Sequence, residues 1–387
     1  MSPETLLAFI RSRAGDDGFV PLHAPEFGDI EKRLVMETID STFVSSVGQF
    51  VDQFEADLNA YTGSAHTIAV TNGTAGLHLA LHALGIGPGD LVLTQSLSFI
   101  ATCNAIQLTG ARPGFVDVHE KTLGLDPAAL DHWLSRETWR DSQGVLRSNS
   151  SNARVAAIVP MHTLGHPVDI VGILDVANAY ELPVVEDAAE SLGSWAGRHH
   201  TGTQGRLGVL SFNGNKILTT GGGGAVLCQD DAMAHRLKAL STTSKVPHPF
   251  RFQHSEFAFN YRLPNLNAAL GCAQLTRLDE RLAEKRTLAM AYKDLFRGSN
   301  FFFVEEPADS CSNYWLNAVV CPTPEHAEQW LDITNAAGIM TRPMWEPMHR
   351  SQVYKDCERG DLPVTDRMAD CIVCLPSSSV LGREGRT

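Results

Sequence analysis

Residues 186–224 read EDAAESLGSWAGRHHTGTQGRLGVLSFNGNKILTTGGGG, and this stretch decides the fold. Asp187 follows the apolar run Leu182–Val185, so its carboxylate stands at the C-terminal edge of a buried strand, where α/β sheets place their ligands. A second apolar run, Leu207 to Phe212, carries Ser211 near its end and Lys216 just beyond it. Four glycines at 221–224 then allow a tight turn and close backbone approach to a ligand. The run is not a dinucleotide fingerprint, because a strand, Ala225 to Leu227, follows it instead of a helix.

An acid and an amine on successive strand ends suit pyridoxal phosphate. A carboxylate facing the pyridine nitrogen keeps it protonated, and a lysine forms a Schiff base with the aldehyde. Once displaced, the same lysine can carry protons.

Upstream, the strand Thr67–Thr71 leads into Asn72-Gly73-Thr74 and a helix with Leu77, Ala80, Leu81 and Leu84 on its inner face. A strand, a glycine turn and a helix N-terminus form a seat for a phosphate. Leu91–Thr94 is a strand that delivers Ser98 and Phe99 to the same edge, with Ser98 expected to cap a helix over 99–108. Strands at 112–117 and 155–160 and helices at 127–134 and 170–177 continue the alternation, which argues a largely parallel sheet. Arg136–Ala153 lacks apolar periodicity and reads as a surface loop or excursion. His162 sits at a strand end and reads as a pocket wall. Gly165 and Pro167 make a helical metal pair with His166 untenable, and no metal site is expected. From Asn265 one long helix leads into a smaller domain with strands near 315–320 and 339–342.

These motifs resemble the DegT/StrS-type nucleotide-sugar aminotransferases, enzymes with the fold of aspartate aminotransferase. The carriers are Ser46-Val47-Gly48, Asn72-Gly73-Thr74, Phe99-Ile100-Ala101-Thr102, Glu186-Asp187-Ala188-Ala189-Glu190, Ser211-Phe212, Lys216 and Asn260-Tyr261-Arg262. The resemblance covers nearly everything from Pro21 to Met348. It implies an α/β, pyridoxal-phosphate fold type I chain, with an arm and large domain over 1–255 and a long helix and small α+β domain over 256–387. It implies Lys216 as the Schiff-base lysine, Asp187 as the ring-nitrogen partner, Phe99 as the stacking aromatic, Gly73, Thr74 and Ser211 about the phosphate, and Glu190 near the ring hydroxyl. It further implies a homodimer with shared active sites, Asn260 reaching the neighbouring subunit's cofactor. Sugar dehydratases of the same fold carry histidine at the lysine position, so Lys216 argues against that reaction.

Three segments, 211–216, 242–249 and 260–267, look like the branch that aminates UDP-linked 4-keto-6-deoxy-N-acetylhexosamines at C4 for legionaminic acid-type glycans, with glutamate as donor. Lys245, His248, Arg262 and Arg342 are the cations available for a pyrophosphate, and Trp345 and His349 could wall the sugar or base. The alternatives are GDP-4-keto-6-deoxymannose, as in perosamine synthesis, and amination at C3.

Composition narrows the field. The 387 residues have 43% hydrophobic content and a net charge of −13, which argues against general nucleic-acid binding. A cofactor-binding regulator would need a basic helix-turn-helix segment, and none accompanies the motifs. Eight cysteines at irregular spacing read as reduced thiols, and the Cys371/Cys374 pair lacks the second pair of a zinc site. The only apolar run near the N-terminus, Leu6–Ile10, is too short for a signal peptide core or a membrane span, so a cytoplasmic location is expected.

Overall fold

The computed structural model describes residues 1–15 and 18–383. Its main sheet has seven strands: β1 (His66–Val70), β2 (Asp90–Gln95), β3 (Arg112–Val116), β4 (Arg154–Val159), β5 (Val185–Asp187), β6 (Leu207–Ser211) and β7 (Gly224–Cys228). The spatial order is β1-β7-β6-β5-β4-β2-β3, with parallel bridges Ile158 to Val184 and Met161 to Asp187 joining its two halves. Only β7 runs antiparallel to its neighbours. Strands such as β2 and β7 are buried throughout because helices cover both faces, which is why their sequences are continuous apolar runs. One face packs Leu77, Leu81, Val209, Val226 and Leu237. The opposite face packs Phe54, Leu58, Leu210, Phe212 and Ala225 at one end and Leu93, Ile158, Ile170 and Ile173 at the other.

The helices start where their caps dictate. Asn72 and Asp169 accept backbone N–H bonds from Ala75 (2.8 Å) and Gly172 (3.0 Å), opening the helices Gly73–Ala83 and Ile170–Tyr180. Ser98 does not cap its helix. Phe99 holds the N-cap position of Ile100–Leu108, and the Ser98 hydroxyl turns to Thr102 Oγ1 at 3.0 Å.

Two expectations about elements are corrected. The stretch expected as a loop, 136–153, contains the antiparallel hairpin Thr138–Arg140 and Leu146–Ser148, which continues onto the start of β4 through Arg147 and Arg154. Leu146 and Ser148 are its inward residues, too few to make a visible alternation. The long helix is broken into Asn265–Leu275 and Leu278–Phe296. Arg281 stabilises the break by donating from Nη1 to the Gln274 side-chain oxygen at 2.8 Å and to its carbonyl at 3.3 Å.

The small domain is built on an antiparallel sheet of Phe302–Phe303, Asn317–Val320, Ile372–Leu375 and Arg342–Pro343. Its core takes in the helix Pro3–Ala14, whose Leu6 and Ile10 pack with Tyr292, Trp330 and Val373. By packing, the first helix therefore joins the second unit, not residues 1–255. All eight cysteines are free thiols. Among the described residues no helix is long and apolar enough to cross a membrane, and no cluster of three or more His, Cys, Asp or Glu side chains is arranged to hold a metal.

Candidate active site

The C-terminal ends of β1, β4, β5 and β6 and the loop after β2 open on one cavity of ≈ 620 Å³, closed on its other side by small-domain residues Trp315, Leu316 and 342–346. Asp187, the last residue of β5, is 2% exposed. Thr102 Oγ1 donates to its Oδ2 at 2.6 Å, and the Ala189 N–H donates to Oδ1 at 3.1 Å. Burial nevertheless pushes the Asp187 carboxyl above its ordinary value, against the pull of Thr102, Ala189 and Lys216. A protonated ring nitrogen placed beside it would restore the ionised form, so this carboxyl fits a pyridinium.

Lys216 projects from the loop after β6 into the same cavity. Its Nζ donates to Glu190 Oε1 at 3.2 Å and lies 3.8 Å from the centre of the Trp315 ring. Glu190 also accepts the Leu164 N–H at 2.9 Å. Burial pushes its carboxyl up to about 7 even though Lys216 pulls the other way.

The turn expected to seat a phosphate is built by close backbone packing. The N–H groups of Gly73 and Thr74 lie in the first turn of a helix, where no intrahelical acceptor exists, and both residues line the cavity with Ser211. A Cβ on Gly73 would lie 3.0 Å from Ser211 Cβ. A Cβ on Gly224 would lie 2.7 Å from the Asn72 carbonyl carbon and 2.8 Å from Gly73 N. The four-glycine run thus has two separate uses: Gly221 turns the chain at φ +79°, and Gly224 lets β7 lie against the Asn72–Gly73 turn. A cavity with this seat at one end, an acid on β5 and an amine beyond β6 fits pyridoxal phosphate.

Phe99, 48% exposed, and Trp345 face the cavity with ring centres 6.0 Å apart. Arg342 lines it as well, with Nη1 bound to Asn335 Oδ1 at 3.0 Å. Five other expected substrate groups sit elsewhere within the chain. His162 is fully buried: its Nδ1 accepts the Val168 N–H, so its Nε2 donates to Glu186 at 2.9 Å, and it is no pocket wall. Glu186 in turn accepts N–H bonds from Gly202, Gln204 and Gly205, and it fixes the loop before β6. Arg262 is buried in an ion pair with Glu55. His349 is held behind the cavity between Ser96 Oγ (2.8 Å) and Asp366 (3.1 Å). Lys245 lies over the Phe252 ring on an outlying loop, where His248 Nδ1 accepts the Phe250 and Arg251 N–H groups. Asn260, a cofactor residue by expectation, is exposed and away from its own chain's cavity, bridged to Thr242.

Sequence reasoning gave no role to Thr102, Asn72 or Trp315. Asn72 could have been found from its N-cap position before a helix. Thr102 lies inside a quoted motif, but its bond to Asp187 depends on how two strand ends face each other. Trp315 had no local signal, because it belongs to the other domain and reaches the lysine only through packing.

The chain matches the DegT/DnrJ/EryC1/StrS aminotransferase family over residues 25–386. It is 35% identical over 356 residues to the GDP-perosamine synthase of Caulobacter vibrioides, covering 90% of each chain. It is 33% identical over 366 residues to the GDP-perosamine synthase of Escherichia coli O157:H7, covering 95% of each. The crystal structure of the aminotransferase TlmJ from Streptoalloteichus hindustanus superimposes with a TM-score of 0.84 at 29% identity, over 93% of this chain and 94% of that one.

Proposed function

Because the chain belongs to the DegT/DnrJ/EryC1/StrS aminotransferase family, and is a pyridoxal-phosphate-dependent sugar aminotransferase of fold type I, we propose that it transfers an amino group from glutamate to C4 of a UDP-linked 4-keto-6-deoxy-N-acetylhexosamine. One observation carries the chemistry: an amine, a buried carboxyl and a helix-start phosphate seat surround a single cavity at one sheet edge. When bound, pyridoxal phosphate supplies the electron sink for moving a proton between carbons. Lys216 attaches it and then, as a free amine, carries that proton. Asp187 holds the proton on the ring nitrogen. Gly73, Thr74 and Ser211 would hold the phosphate, Phe99 would flank the ring, and Glu190, which accepts from Lys216, would serve the ring hydroxyl.

The wording of segments 211–216, 242–249 and 260–267 supports the UDP sugar. Arg342 and Trp345 are the substrate groups offered by the cavity's own chain, and Lys245, His248 and Asn260 serve the neighbouring subunit's cavity in a homodimer. The second reading, a GDP-linked 4-keto-6-deoxymannose, is favoured by the names of two relatives. Glutamate-dependent amination of both sugars, with kcat/KM for each and the product's position read by NMR, decides between them. A higher kcat/KM for the GDP sugar, or an amine at C3, refutes the first reading. Lys216→Ala should lose the lysine-bound visible chromophore, and a variant that kept both chromophore and turnover would refute the assignment of the lysine.

A further inference from the structure

We propose that Trp315, from the small domain, is a working residue of the lysine site: its ring seats the Lys216 amine whenever that amine is free, and its indole N–H fixes the backbone from which the lysine swings. The proposal rests on the assignment of Lys216 as the attachment point.

The geometry is specific. The ring lies 3.8 Å from Nζ, within the range where an ammonium is attracted to the face of an indole, and Trp315 itself is buried. Nε1–H donates to the Asn215 carbonyl at 2.7 Å, one residue before the lysine. A tryptophan kept only for core volume would satisfy its N–H within its own domain. Here the N–H crosses to the large domain's lysine loop.

The backbone that carries the indole is also held firmly. Asn313 Oδ1 accepts the Trp315 backbone N–H at 2.7 Å, while Asn313 Nδ2 donates to the carbonyls of Glu190 at 2.8 Å and Leu192 at 2.9 Å. Lys285 Nζ donates to the Trp315 carbonyl at 3.1 Å and to that of Ser377 at 2.5 Å. The two groups that touch the Lys216 amine, Glu190 and Trp315, come from different domains and are tied to each other through Asn313. Each turnover frees the amine and must bring it back, and this cradle keeps it aimed at the cavity in between.

The test uses Trp315→Phe, which keeps a ring and loses the N–H, and Trp315→Leu, which loses both. Apoprotein of each is mixed with pyridoxal phosphate and the appearance of the lysine-linked chromophore is timed. Capture should slow about tenfold in the Phe variant and further in the Leu variant, and kcat should fall with KM for the sugar within twofold of wild type. Covalent labelling of Lys216 in the cofactor-free Leu variant, read by mass spectrometry, should be several-fold faster, because the amine is no longer held against the ring. Capture rate, labelling and kcat all within twofold of wild type in the Phe variant, with only the melting temperature lowered, would make Trp315 a packing residue and overturn the proposal, and this holds even if the Leu variant does not fold. Failure of the underlying lysine assignment is distinguishable, since it would show as chromophore retained in Lys216→Ala.

Discussion

Asp187 and Lys285 are both buried ionisable groups, and they meet the cost of burial differently. Asp187 has two hydrogen-bond donors and a carboxyl that burial pushes up, and in the proposed role a ring nitrogen would complete its environment. Asp187→Ala should fold and bind the cofactor but lose at least about 100-fold in kcat, because the ring nitrogen then loses its proton. Near-normal kcat in that variant would remove Asp187 from the role. Lys285 has two carbonyl acceptors and, among the described residues, no carboxylate in an ion pair, and burial pushes its ammonium down to about 7 from 10.5. Below pH 7 both folded and unfolded chains hold that proton. Between pH 7 and 10.5 the unfolded chain holds more of it, so this residue's contribution to stability rises with pH, by up to roughly 1.4 kcal/mol per unit. Lys285→Met should be less dependent on pH in that window: melting curves at pH 7 and 9 should show wild type gaining on the variant as pH rises. That Lys216 and Asp187 line the cavity was legible, because each follows within a few residues of an apolar run and so falls at a sheet edge. Trp315 and Thr102 were not, since their roles are contacts between segments more than 80 residues apart, the Thr102–Asp187 separation being 85 and the Trp315–Asn215 separation 100.

At the level of elements, most of the strand and helix alternation of the large domain was readable, because buried parallel strands are continuous apolar runs punctuated by glycines. The 138–148 hairpin was not, having three-residue strands with mostly polar outward faces, nor was the break at Thr276–Arg277, where no glycine or proline marks it. The use of Gly224 was also hidden, because it depends on β7 pairing with β1 and bringing that glycine against the Asn72 turn. Gly224→Ala should displace that turn, weaken cofactor retention about tenfold and cost about 1–3 kcal/mol of stability. Gly87→Ala is the control, with no atom nearer than 3.9 Å to its added methyl. Equilibrium dialysis of pyridoxal phosphate with a thermal melt checks both, and unchanged retention in Gly224→Ala would sink the packing argument.

For the whole molecule, several large apolar side chains are left open to solvent. Phe27, Met36 and Phe43 lie on and around the helix Asp29–Asp40, and Phe250, Phe252 and Phe257 are 77%, 82% and 76% exposed. In the proposed homodimer these are surfaces a second copy would cover, and Lys245, His248 and Asn260, which do not line their own chain's cavity, are the residues proposed to serve its partner's. Phe250→Ser with Phe252→Ser should shift light scattering toward a monomer and reduce turnover together. A fully active monomer would rule out the shared site. The packing of the first helix against the small domain's core was not readable, since nothing in Leu6 or Ile10 names their distant partners.

That packing sets an order of events during synthesis. Arg11 donates to the Ala337 carbonyl across 326 residues, and Leu6 and Ile10 are buried against Trp330 and Val373. At about 5–20 residues per second, the first helix emerges from the ribosome on the order of 15–60 seconds before the groove that receives it has been translated. Its apolar face spends that interval available to chaperones and proteases, so nascent chains arrested before residue 330 should be clipped within residues 3–14 while full-length chains resist.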